Sequence, residues 1–167
     1  MPCAYCQCSH VIQSVIVSLQ GIPLAAAVSL SLSQAPHSLD LGFSFNRKEK
    51  KDHGEGGTLV GAPMKGKRVI ILDDVITAGT AINEAVDIIK AEGGQLVGIV
   101  IALDRQEKVK EGDATSAVGA VSQRLGVKVT SVVNLNQVIT FLEGKGMSKE
   151  VQGMKEYRAQ YGVQEGH

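Results

Sequence analysis

Two adjacent carboxylates, Asp73 and Asp74, close the apolar run Val69-Ile70-Ile71-Leu72 and lead into Val75-Ile76-Thr77-Ala78-Gly79-Thr80. Carboxylates paired at the end of a strand accept hydrogen bonds from vicinal hydroxyls and can hold Mg²⁺, directly or through water. A Thr-Ala-Gly-Thr turn opening a helix presents backbone N–H groups and two hydroxyls where the helix dipole and the unpaired donors favour a phosphate. Side by side, the two features suit a phosphorylated sugar. Taken alone, the same residues also fit an ordinary polar strand end with Thr80 as an N-cap. No Gly-Lys-Ser or Gly-Lys-Thr follows, and the glycine spacing is not that of a dinucleotide fingerprint, which disfavours nucleoside triphosphates and NAD.

A second concentration of chemical groups lies upstream. Asn46 to Gly57 carries five basic side chains, Arg47, Lys48, Lys50, Lys51 and His53, with three glycines and no hydrophobic period. That pattern predicts a mobile loop between Asn46 and Lys67, and a solvated charge run is its plain alternative. Arg105 follows Asp104 at the end of the apolar run Leu96–Leu103, where a surface residue would also fit. Cys3, Cys6 and Cys8 with His10 are a weak match to zinc-ligand spacing, and their crowding into the first residues excludes a disulfide scaffold. A frayed terminus is the expectation there.

The elements that must position these groups follow from periodicity. At 167 residues, with 17 acidic and 17 Lys and Arg side chains and 44% apolar residues, the chain suits one globular domain. Balanced charge and only three Tyr and three Phe argue against a nucleic-acid surface. Val11 to Leu19 is interrupted by Gln13, Ser14 and Ser18, and no window reaches the ~20 apolar residues of a span. A cytoplasmic protein without membrane partners is expected.

Gly21-Ile22-Pro23 opens a helix over Leu24–Leu32, and Ser38–Phe45 alternates as a strand. Val69–Leu72 reads as a buried strand. A loop from Val75 to Thr80 precedes a helix through Ile82, Val86 and Ile89 that stops at Gly93-Gly94. Leu96–Leu103 is another strand, Ala114–Leu125 a helix and Val127–Val133 a strand. Asn134 and Gln137 form a capping pair ahead of Val138, Ile139 and Leu142, and Ser148–Tyr161 is a last helix. Strands and helices alternating in this way predict an α/β fold, a parallel sheet flanked by helices with ligands at the carboxyl ends of strands.

The run Val69 to Thr80 resembles the phosphoribosyl-pyrophosphate signature of the type I phosphoribosyltransferases: an apolar strand, two acids, then Thr-Ala-Gly-Thr. Phe45 to Gly57 resembles the catalytic loop of the orotate phosphoribosyltransferase family. Leu103-Asp104-Arg105-Gln106-Glu107 is similar to its orotate-binding strand end, and Gly21-Ile22-Pro23-Leu24-Ala25 to its pyrophosphate-side turn. The resemblance implies a Rossmann-like type I fold whose N-terminal hood is missing. It also implies transfer of 5-phosphoribosyl from phosphoribosyl pyrophosphate (PRPP) to orotate, giving orotidine 5′-monophosphate and pyrophosphate in pyrimidine (UMP) biosynthesis.

By the same resemblance, Lys51, His53, Asp73 and Asp74 are catalytic. PRPP is bound by Arg47, Lys48, Lys51 and His53, by Asp73 and Asp74, and by Val75, Ile76, Thr77, Ala78, Gly79, Thr80 and Ala81. Thr77 and Arg105 contact orotate. Mg²⁺ is bound mainly through PRPP, with no direct side-chain ligand. A homodimer is implied in which the catalytic loop is shared across subunits. Residues 21–167 form the phosphoribosyltransferase domain and residues 1–20 a non-matching segment, where Leu19-Gln20 stands in place of the family's Tyr-Lys. For that segment a misplaced gene start is favoured over an authentic short variant. The competing reading is a catalytically impaired domain of this fold that binds PRPP or a partner without turnover. A purine-specific transferase is disfavoured by Leu103-Asp104-Arg105.

Overall fold

The computed structural model describes residues 14–17, 21–34, 36–51, 57–77, 79–110 and 114–163. The expectations for Cys3, Cys6, Cys8, His10, His53 and Ala78 lie outside the described residues, as do those for the side chains of Arg47, Lys48 and Lys51. The chain divides into two compact units. One comprises the residues up to Leu72 with Glu84–Val97, the other Asp73–Asn83 with the residues from Gly98 on.

In the first unit, β1 (Ser14–Val17) runs parallel to β2 (Gly42–Lys51) on one side and to β4 (Arg68–Val75) on the other, Val15 standing opposite both Phe43 and Ile70. The antiparallel β3 (Gly57–Gly61) forms the outer edge against β2, with a register shift between Asn46 and Lys51. α1 (Ile22–Ser33) starts with Pro23 in its first turn, where a missing N–H costs nothing, and buries Ala25. Behind the sheet the buried side chains include Met64, Val69, Ile71 and Ile89. Gly94 lies tight against this packing: a Cβ there would lie 3.1 Å from Ile89 and Val69 and 3.2 Å from Met64. The buried Ser44 hydroxyl donates to Ala62 O at 2.6 Å and ties β2 to the turn after β3.

β4, α2 (Thr80–Ala91) and β5 (Gln95–Asp104) contribute residues to both units, and β5 is the neighbour of β4 in the sheet. In the second unit β5 pairs in parallel with β6 (Val129–Asn134), Ile99 facing Val129 and Asp104 facing Asn134, with Ile99 and Ile101 fully buried. α3 (Ala117–Leu125) is capped by Ser116, whose hydroxyl accepts from Gly119 N at 3.1 Å, and ends at Gly126 with φ 64°. α4 (Leu135–Gly144) begins with the expected capping box, Asn134 and Gln137 each accepting the other's backbone N–H at 2.9 Å. α4 packs on α5 (Ser148–Tyr161) through Leu135, Ile139 and Val151, with Leu142, Met154 and Tyr157 alongside.

One expectation is corrected. The stretch expected as a loop from Asn46 to Lys67 holds the end of β2 and all of β3. Here the strands are specified by antiparallel pairing across the chain rather than by an apolar period, and Thr58-Leu59-Val60 supplies β-formers on the returning strand. Ser14–Val17, to which the sequence pattern assigned no element, forms a strand between β2 and β4. Four residues carry too little periodic pattern to mark a strand.

Candidate functional site

The acid pair and the turn after it belong to the second unit. β4 extends through Asp73 and Asp74, and each carboxylate is fastened by the backbone of the next residue. Asp74 N–H donates to Asp73 Oδ1 at 3.0 Å, and Val75 N–H to Asp74 Oδ1 at 2.8 Å. Asp73 is only 5% exposed, while Asp74 is half-buried. These contacts hold both carboxylates at the carboxyl end of the strand. Among the described residues no group of three or more His, Cys, Asp or Glu side chains gathers. A pair of hard oxygen donors is too few for an all-protein cage, but it fits Mg²⁺ that keeps waters and takes its other ligands from a phosphorylated substrate.

The turn closes at Gly79, buried with φ 74°, a conformation that costs glycine nothing and strains other residues. A Cβ on Gly79 would sit 3.1 Å from Val121 Cγ2 and 3.4 Å from Arg124 Nη2, so α3 also presses the turn into shape. α2 starts at Thr80, and Asn83 N–H donates to Gly79 O at 3.0 Å. The N–H groups of Thr80, Ala81 and Ile82 therefore precede the first intrahelical bond and remain as donors at the positive end of the dipole. No acidic residue occupies this first turn, so nothing within it competes with an anion. Thr77 and Thr80 are exposed beside these donors.

In the same unit, β5 ends at Asp104 and Arg105 follows. Asp104 Oδ1 accepts Gln106 N–H at 2.8 Å, which bends the chain away from the strand, and Gln106 adopts φ 56°. Arg105 Nε lies 3.2 Å from Glu107 Oε1, the two side chains 31% and 17% exposed. That oxygen also accepts the Tyr157 hydroxyl from α5. The second unit thus contains Asp73, Asp74, the turn from Val75 to Ala81 and Arg105, whereas Arg47, Lys48 and Lys51 lie along β2 in the first. The meeting of Tyr157 with Glu107, the ion-pair partner of Arg105, was not legible, because fifty residues separate Glu107 from Tyr157 and no local spacing links a strand end to a distant helix.

Residues 15–134 match the family model described as a phosphoribosyl transferase domain. Among curated relatives, the orotate phosphoribosyltransferase of Stenotrophomonas maltophilia is 53% identical over 148 residues, covering 86% of this chain and 65% of the relative. The chain therefore spans about two thirds of that relative's length, and slightly less than that. A crystal structure of the orotate phosphoribosyltransferase of Francisella tularensis superimposes with a TM-score of 0.70 at 32% identity, covering 90% of this chain and 68% of that one. The Mycobacterium tuberculosis orotate phosphoribosyltransferase in complex with PRPP is similar at 25% identity and a TM-score of 0.57, over 75% of this chain and 64% of that one. No helix among the described residues is long and apolar enough to cross a membrane.

Proposed function

The chain belongs to the phosphoribosyltransferase family, and from that premise we propose that it is an orotate phosphoribosyltransferase, moving the 5-phosphoribosyl group of PRPP to a ring nitrogen of orotate. The observation that carries this reading is the end of β4, where two fastened carboxylates meet a glycine-closed turn at the start of α2. Vicinal ribose hydroxyls suit the first feature and a 5′-phosphate the second. Arg105, at the neighbouring strand end, supplies the guanidinium that a carboxylate-bearing base needs, and Thr77 offers it a hydroxyl.

Bond cleavage at the anomeric carbon builds positive charge on the sugar ring and negative charge on the departing pyrophosphate. Asp73 and Asp74 oppose the first, and Arg47, Lys48, Lys51 and His53 offset the second. The glycine-rich segment carrying those cations serves as a cover that excludes water from the activated sugar. Asp73 and Asp74 would help hold Mg²⁺, carried mainly by PRPP, and the ion would supply further charge neutralisation for the departing pyrophosphate. The working form is a homodimer that shares this basic segment across subunits, in the cytosol.

The test is direct. The chain is incubated with PRPP, Mg²⁺ and orotate, the loss of orotate absorbance is followed, and hypoxanthine serves as the control base. Orotate consumption without hypoxanthine consumption is expected. PRPP binding without turnover of either base would replace this reading by a domain of the same fold that binds the donor and does no chemistry.

A further inference from the structure

Segment Asp104–Lys108, which carries Arg105, is held from the far end of the chain. Lys108 N–H donates to Tyr161 O at 2.9 Å and Val163 N–H to Gln106 O at 2.9 Å, while Glu107 and Gly162 form an antiparallel bridge. Gln106 Oε1 accepts the backbone N–H of Asn136 at 3.1 Å from the start of α4. A non-glycine residue at φ 56° persists only where its surroundings over-determine it, and these contacts from α4, α5 and the residues after α5 do so. Within this clamp, Glu107 Oε1 meets both the Tyr157 hydroxyl and Arg105 Nε. The Nε–H is not aimed well enough at the oxygen to count as a hydrogen bond, so the contact to Arg105 is ionic.

We infer that Glu107 and Tyr157 are positioning residues for Arg105, setting the plane of its guanidinium toward the carboxylate of the acceptor base, so that α5 takes part in choosing the substrate. This rests on the proposed role of Arg105 toward orotate. A guanidinium engaged on its Nε side keeps the far end of its fork for a bidentate carboxylate. Glu107 cannot help by charge, since a carboxylate beside Arg105 weakens its pull on another one. Its contribution is orientation, and Tyr157 selects the Glu107 rotamer that provides it.

The experiment measures binding of orotate and of uracil, which is orotate without its carboxylate, to the full chain by calorimetry with Mg²⁺ and saturating inorganic pyrophosphate. Tyr157→Phe and Glu107→Ala are each expected to lower the preference for orotate about five- to tenfold, the scale of one lost hydrogen bond. The loss falls on orotate, with uracil and PRPP affinity unchanged. Glu107→Gln retains an oxygen for Tyr157 but not the ion pair with Arg105, so its preference is expected to fall between those of Glu107→Ala and the unmodified chain. Lys155→Ala, on the same helix but paired with Glu143 at 2.6 Å, leaves it unchanged. A merely structural role for α5 would weaken both bases and PRPP together, and that result overturns the inference. If Tyr157→Phe fails to fold, the Glu107→Ala and Glu107→Gln pair decides. Preference kept in the Glu107 and Tyr157 variants but lost in Arg105→Ala rejects the positioning role alone. Preference kept in Arg105→Ala rejects the orotate reading and this inference with it.

Discussion

At Gly79 one hydrogen atom in place of a methyl group keeps the turn between β4 and α2 unstrained. Its φ of 74° and the 3.1 Å separation between a notional Cβ and Val121 act together, so Gly79→Ala must either strain the turn or push α3 back. The left-handed conformation alone costs about 1–2 kcal/mol, and PRPP affinity measured by calorimetry is expected to fall about tenfold. Lys51 is expected to behave differently. If its ammonium acts on the departing pyrophosphate, Lys51→Ala lowers turnover about 10²- to 10³-fold while orotate binding changes little, because the charge it meets develops only in the transition state. Equal losses in kcat and in orotate affinity would remove that role. The acids, the turn and Arg105 were readable because their chemistry is packed into a few consecutive residues at strand ends. Glu107 was visible only as a neighbour of Arg105, and Tyr157 not at all, since their meeting depends on how α5 folds back.

Among the elements, those whose limits are written in short-range hydrogen bonds were the most legible. The α4 capping box spans only Asn134 to Gln137, and α5 begins and ends where the sequence pattern puts it. Asn134→Ala removes the acceptor for Gln137 N–H and is expected to cost about 1 kcal/mol, lowering Tm by about 2–4 °C in a chain of this size. Thermal denaturation followed by circular dichroism measures it, and an unchanged Tm would mean that packing on α5 alone holds the start of α4. The β2–β3 ribbon was misread for the opposite reason. Its strands are specified by pairing across the chain, Phe45 against Val60 and Asn46 against Leu59, and its charged residues show no alternation to detect. β1 is harder still, because its four residues are ordinary until β2 and β4 enclose them.

For the whole molecule, the proposed sharing of the basic segment between subunits makes a prediction that neither variant alone can make. Lys51→Ala damages only what a subunit lends, and Asp74→Asn damages what it keeps. Asn at position 74 retains an oxygen for the Val75 N–H, so the strand end should survive the change. In a closed two-fold dimer each site would then combine the segment of one subunit with the β4 turn of the other. Random pairing of equal amounts of the two variants makes half the dimers mixed, and each mixed dimer has one site with both residues intact. Activity should therefore return to about a quarter of the unmodified chain's when two nearly inactive preparations are co-expressed or allowed to exchange. A segment acting on its own subunit leaves every site with one defect and gives no recovery, as does a monomer. Sedimentation separates those two failures, since the first still shows a dimer and the second does not.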